Sequence, residues 1–244
     1  MRTETKWKPW VATQKWNDLL FIHWPVPYES IRTQVPDEFE VETYDGQAWL
    51  SIVPFYGTSN RFRGMPGPIP FSSFLELNVR TYVNYKGDSG VYFFSLDASS
   101  DIAVAGARKL FSLPYFKAKM RKERNKHGIL FTSRRTEKGA HPASFSAHYK
   151  PISQKSTARE GSLTHWLVER YCLWTIKGDK VLKGPIKHEP WDVQEAILDL
   201  DMDGMADFVP DSFLEAEPIV QFCQEKKVRF FPFEEVGRTE KTSI

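Results

Sequence analysis

No apolar run in the sequence approaches the roughly 20 residues that a bilayer-spanning helix requires, so nothing in it reads as a membrane segment. The opening MRTETKWKPW lacks the apolar core of a secretory signal, and a cytoplasmic location is the expectation. Charge of one sign is also missing. Lys and Arg number 33 against 31 Asp and Glu, a net charge of only +2, which argues against a nucleic-acid partner held by bulk electrostatics. Cysteine is scarce. Cys172 and Cys223 are the only two; they lie far apart in apolar segments and read as reduced, buried thiols rather than a disulfide. Their spacing fits no zinc pattern.

Familiar chemical signatures are missing too. There is no Walker loop, no dinucleotide glycine fingerprint and no Gly-x-Ser-x-Gly elbow. The six histidines show no ligand spacing, and His23 in FIHWP reads as a hydrogen-bonded core residue. The run DLDMDGMAD places Asp199, Asp201, Asp203 and Gly204 at positions 1, 3, 5 and 6 of a calcium loop. Pro210 then stands at the twelfth position, where a bidentate Glu is needed. Neither a metal nor a cofactor is expected.

What is abundant is aromatic. Eight Trp and eighteen Phe favour strands and a packed interior, and 41% hydrophobic residues are enough for a sizeable core. The expectation is one domain over 1–244, with 1–15 a polar leader, pinned at Trp7 and Trp10, and 237–244 a frayed tail. DLLFIHWPV reads as a buried strand, and Pro27 opens a short helix that Pro36 stops. Asp45-Gly46 between alternating residues signals a hairpin. Residues 57–70, rich in Pro and Gly, read as a loop able to serve as a lid. A second hairpin, FSSFLELNVRTYVNY with VYFFSLDA, turns at Gly87–Gly90. Ser100 or a neighbour caps the helix IAVAGARKLF, and Ser162 caps another at SLTHWLVERY. Residues 192–203 alternate as a strand, and a last hairpin turns at Gln224–Lys227. The sum is many antiparallel strands with three short helices, a barrel or barrel-like sandwich rather than a parallel α/β sheet.

Two places carry charge inside apolar surroundings. In the strand FSSFLELNVRTYVNY, Leu75, Leu77, Val79, Thr81 and Val83 form a core face, while Phe74, Glu76, Asn78, Arg80 and Tyr82 face either solvent or a wet cavity. In the helix that follows, Arg108 and Lys109 are adjacent. Desolvation and a neighbouring cation both lower a lysine's pKa and make it a nucleophile; the alternative is that both side chains snorkel to the surface.

FIHWPV, DGQAWLSIVPF, ELNVRTYV, GVYFFSLDA and AGARKLFSLPYFKAKM, in this order, resemble the YqjF-like family, grouped with the acetoacetate-decarboxylase-like superfamily. The likeness runs from about Trp16 to Val236. It implies a mainly β (α+β) fold, an antiparallel β barrel with a few short helices around a buried site. Decarboxylases of that superfamily carry a Gly-aromatic-Pro-Lys-Lys-Leu segment with the imine-forming lysine first. Gly106-Ala107-Arg108-Lys109-Leu110 matches it in two registers. One puts Lys109 at the imine position; the other puts Arg108 there, and an arginine forms no imine. The superfamily's strand glutamate matches Glu76.

Three functions follow from these expectations. In the first, a small anionic or keto-acid molecule binds in the pocket, with Lys109 and Glu76 catalytic in a Schiff-base lyase. Arg80 and Arg108 hold the anion, Asp97 orients them, and Phe74, Tyr82, Phe94 and Tyr115 wall the site. In the second, the same residues bind a ligand without turnover. In the third, Glu76–Arg80 and Asp97–Arg108 are internal ion pairs and the barrel is filled. No membrane partner is expected, and a homo-oligomer is left open.

Overall fold

The computed structural model describes residues 8–69 and 72–239. In chain order the elements are β1 (Ala12–Val26), α1 (Tyr28–Arg32), β2 (Glu40–Val41), β3 (Ala48–Phe62), β4 (Phe74–Tyr85), β5 (Asp88–Ala98), α2 (Asp101–Phe111), β6 (Tyr115–Asn125) and β7 (Gly128–Arg135). They continue with β8 (Ser144–Pro151), β9 (Ser156–Thr157), α3 (Leu163–Val168), β10 (Cys172–Lys177), β11 (Lys180–Lys187), β12 (Asp192–Asp203), α4 (Asp211–Leu214), β13 (Ile219–Phe230) and β14 (Glu234–Arg238). The chain is mainly β with short helices. No described helix is long and apolar enough to cross a membrane.

The strands pair in the order β14-β11-β10-β5-β6-β7-β8-β12-β13-β1-β3-β4-β2, and β5 also pairs β4 while β11 also pairs β13. These two extra pairings close the sheet into two rings that share β13, β1, β3, β4 and β5. β4 sits in the shared part and separates two apolar clusters. Leu77, Val79 and Val83 pack into the larger one with Trp24, Leu50 and Trp174. The other cluster gathers Leu19, Phe21, Trp49, Tyr82 and Trp191. The core face of β4 is therefore the one its alternation predicts, because side chains two apart share a face of the pleat.

Local chemistry sets the helix ends. Ser100 Oγ accepts a hydrogen bond from the Ala103 amide at 3.3 Å, and Ser112 closes α2 in the left-handed region at φ 53°. Ser162 caps α3 in the same way, accepting from His165 at 3.3 Å. Pro27 precedes α1, and Pro114 follows α2 before β6.

Several expectations change in three dimensions. β1 starts at Ala12 and β14 ends at Arg238, inside the stretches expected to be leader and tail. Trp7 lies outside the described residues; Trp10 is faced by Arg61 and Arg63 at 5.9 and 5.8 Å. The Asp45-Gly46 turn forms, with φ of 48° and 78° and a single Tyr44–Gln47 bridge, but its hairpin does not. β2 pairs β4 instead, because that register buries Phe39 and Val41 in the core. The expected loop over 57–70 begins only after Phe62, since the far half of β3 pairs the start of β1. The central turn is Lys86-Gly87, closed by the Tyr85–Asp88 pair rather than spanning Gly87–Gly90, with φ of 53° and 87° suited to a two-residue hairpin. The last hairpin is absent: β13 runs unbroken past Gln224–Lys227 because β1 pairs it along its length. The sheet is not wholly antiparallel, since β5 runs parallel to both β6 and β10. α4 is a fourth short helix among the described residues.

Candidate functional site

The second face of β4 lines a cavity of about 340 Å³. Cross-strand register builds its floor in rows. Phe55 stands beside Glu76, Val53 beside Asn78, and Ser51 beside Arg80 on β3, while Leu96 and Phe93 flank Asn78 and Arg80 on β5. A bulge between Val79 and Arg80 leaves Phe94 unpaired in that register and brings Phe93 beside Arg80. Phe93 therefore lines the cavity, while Phe94 packs on Phe208 at 4.7 Å elsewhere. The expected alternation therefore holds on β4 and is shifted by one residue on β5.

Two arginines line the cavity, and the charge of Arg170 acts on Arg80. Arg80 leaves part of its surface on the cavity, but its Nε and Nη2 are buried without a hydrogen-bond partner among the described residues. Its guanidinium lies 5.7 Å from the Phe21 ring centroid. Burial pushes its pKa below the usual value, the Tyr82 hydroxyl opposes this, and the Arg170 charge adds to it. An arginine remains charged in a protein all the same. Arg170 comes from the end of α3 and also lines the cavity. It is clamped by Glu42, by the Trp166 carbonyl at 2.8 Å, and by the Trp166 and Tyr82 rings at 4.4 and 4.9 Å. Its Nη2 is buried and unpartnered. No carboxylate among the described residues forms an ion pair with Arg80.

Behind Arg80 lies a neutral polar chain. Ser51 Oγ stands 2.6 Å from both His23 Nδ1 and the Tyr82 hydroxyl. All three residues are buried. Burial first, and the Arg80 charge second, hold the His23 imidazole down to about 3, so it is neutral at physiological pH.

Glu76 marks another part of the wall. It accepts a hydrogen bond from the Tyr115 hydroxyl at 2.9 Å. Burial pushes its pKa up to about 7, against the Tyr115 and Asn78 hydrogen bonds that favour the carboxylate. Tyr115 is raised well above its usual range by burial and by Glu76, so the phenol keeps its proton. Asn78 leaves its side-chain oxygen unpartnered in between.

The structure brings Phe74, Glu76, Arg80 and Tyr115 together on the cavity and leaves Tyr82, Phe94, Asp97, Arg108 and Lys109 off its lining. Lys109 is exposed. No lysine lines the cavity among the described residues. The expected ion pairs are replaced by others. Asp97 is fully buried against Arg135 at 2.9 Å, because β7 brings Arg135 over the end of β5. Arg108 pairs with Glu137 at 3.1 Å and donates to the Tyr115 carbonyl at 2.6 Å, anchoring α2 to the start of β6. Glu76 and Arg80 do not pair with each other.

Other lining residues escaped the sequence. Arg170 falls within the run SLTHWLVERY expected to be helical, but α3 ends at Val168 and leaves it just beyond, where nothing in the sequence marks it as a lining residue. His188 stacks on Tyr171 with ring centroids 4.6 Å apart and meets Trp191 at a tilt at 4.7 Å, and its Nδ1 lies 2.8 Å from the Glu189 carbonyl. Cys172 lines the cavity as well; its thiol donates to the Ser89 carbonyl at 3.3 Å, and burial pushes it up to about 12. No group of three or more His, Cys, Asp or Glu side chains able to hold a metal occurs among the described residues.

A family model for DUF2071, described as an uncharacterized conserved protein, matches residues 13–227. The chain belongs to this family. It is 43% identical over 223 residues to the uncharacterized protein YqjF of Bacillus subtilis, covering 91% of each chain. Among solved structures, this DUF2071 chain resembles the acetoacetate decarboxylase of Legionella pneumophila, with a TM-score of 0.62, 13% identity, and 98% and 93% of the two chains covered. It also resembles the enduracididine biosynthesis enzyme MppR complexed with pyruvate, with a TM-score of 0.60, 10% identity, and 96% and 92% covered. At such identities the likeness is one of fold.

Proposed function

We propose that this chain binds a small carboxylic or keto acid in the cavity, with the carboxylate on Arg80 and Arg170 and proton transfer at Glu76. The observation that carries the reading is that Arg80 and Arg170 both line the cavity, while no carboxylate among the described residues pairs with Arg80. An unpaired buried charge costs several kcal/mol, and a carboxylate supplies the two planar acceptor oxygens that a guanidinium fork matches. The two closed strand rings are taken as the wall of an acetoacetate-decarboxylase-like barrel around this site. MppR, a chain of the same fold, is known in complex with pyruvate, which supports an acid of the keto class.

Glu76, poised near neutrality, suits a general acid–base group because both of its forms are populated at pH 7. Tyr115, still protonated, holds it in place. The chemistry that fits is removal and return of a proton beside the ligand's carbonyl. It requires no imine, and the exposed Lys109 has no part in it.

Exchange of keto-acid α-protons into deuterated water, followed by proton NMR, tests the proposal. The wild type is expected to accelerate exchange of at least one acid in a panel. Glu76→Gln should lose about 100-fold or more of that rate, and Arg80→Met should raise the half-saturating concentration at least tenfold. Exchange that survives Glu76→Gln, or saturation indifferent to Arg80→Met, refutes it.

A further inference from the structure

We infer that, among the carboxylic and keto acids proposed above, the cavity best fits an elongated one, with a ring-sized apolar body and an oxygen function at its far end, longer than a three- or four-carbon acid. This rests on the carboxylate reading above and adds a size and shape to it. The first ground is capacity. The cavity of about 340 Å³ equals the liquid volume of roughly eleven waters and falls within the ~300–1,000 Å³ typical of sites for drug-sized ligands. An acid the size of pyruvate fills only a minority of it.

The second ground is spacing. Glu76 and Arg80 share one face of β4 but stand four residues apart, about 13 Å of strand. They form no ion pair, and the charges that act on Arg80 come from Tyr82 and Arg170. A ligand that engages both groups has to reach across the intervening Asn78 row of the strand face.

The third ground is what lies between. Phe21, Val53, Phe55 and Trp191 supply an apolar wall along that span. Trp191 meets Phe21 edge-on at 5.0 Å and lies nearly parallel to Trp16 at 6.2 Å. Flat aromatic surfaces of this kind favour stacking with a ring. At the Glu76 end, the carboxyl group on the cavity wall can donate to a carbonyl when protonated and accept from a hydroxyl when ionised. The ligand class is therefore an aryl-alkanoic acid, or an alkanoic acid of similar length, carrying an oxygen opposite its carboxylate.

Calorimetric titration of the full chain with acetate, pyruvate, phenylacetate, 3-phenylpropanoate, 3-(4-hydroxyphenyl)propanoate and the corresponding amides tests the inference. Affinity is expected to rise about fourfold per buried methylene, so that 3-phenylpropanoate binds at least 100-fold more tightly than pyruvate. The 4-hydroxyl should add a further gain, read as the affinity ratio of the hydroxylated to the plain aryl acid, and Glu76→Leu should bring that ratio down to about one. Pyruvate binding as tightly as the aryl acids overturns the elongated ligand and leaves the carboxylate reading standing. Amides binding as tightly as their acids overturn the carboxylate reading and this inference with it, as does an absence of binding by every acid in the series.

Discussion

Tyr115 donates its hydroxyl to Glu76 across 2.9 Å, joining the first residue of β6 to the cavity face of β4. The bond couples a helix to a proton. α2 is held against β6 by Arg108, whose Nε donates to the carbonyl of the same tyrosine at 2.6 Å. The backbone of Tyr115 thus anchors the helix, and its side chain steadies the carboxyl group that burial has moved towards neutrality.

The titration of Glu76 should be visible in stability. Its folded pKa, about 7, lies above the usual value of 4.5. The folded state therefore holds the proton more tightly, and stability falls as pH rises from about 4.5 through 7, by up to about 3 kcal/mol in total. Glu76→Gln should remove this slope and grow more stable relative to wild type as pH increases. Urea midpoints at pH 5 and pH 8 check it; equal pH dependence in both proteins refutes the assignment.

His23 acts at the acid end. Its folded pKa of about 3 lies below the usual 6.5, so the unfolded chain takes up its proton first. Stability should then fall as pH drops below 6.5, by up to about 1.4 kcal/mol per unit. Gln in its place can still hydrogen-bond Ser51 and carries no titration. Comparing His23→Gln with wild type by denaturant unfolding at pH 6.5 and 5 should show a flatter profile in the variant.

Arg80→Met separates a ligand site from a structural one. If the guanidinium is buried to receive an anion, its removal leaves unliganded stability unchanged or raises it by about 1–2 kcal/mol, since an uncompensated charge has gone. Were Arg80 part of an internal ion pair, the same change would cost about 3–5 kcal/mol by stranding its partner. Thermal denaturation without ligand distinguishes the two.

Lys109 offers a contrast. Exposed and off the cavity lining, it should tolerate Lys109→Ala within about 0.5 kcal/mol of stability and with unchanged acid binding. Borohydride reduction in the presence of keto acids, followed by peptide mass analysis, should leave no adduct on it. An adduct there would falsify the assignment of chemistry to Glu76.

The face of β4 was legible because alternation survives any tertiary arrangement. Leu77, Val79 and Val83 had to share one side and Glu76, Asn78 and Arg80 the other. The caps at Ser100 and Ser162 were equally local, set by a side chain and an amide three residues on. Phe93 and Phe94 could not be sorted, because a bulge created by the partner strand shifts the register. The final strand was misdivided for a related reason: Gln224–Lys227 is polar enough to turn, and only pairing with β1 keeps it extended.

What the sequence by itself determined is a β-rich chain whose central strand carries an acid, an amide and an arginine on one face, since these follow from periodicity and composition alone. The tertiary structure decided which charges meet. It set Arg170 near Arg80, Tyr115 on Glu76, Arg135 on Asp97 and Glu137 on Arg108, and it left Lys109 outside. Each of those partners comes from a different part of the chain, tens of residues away. Their meeting depends on how the rings of strands close, which no local pattern encodes.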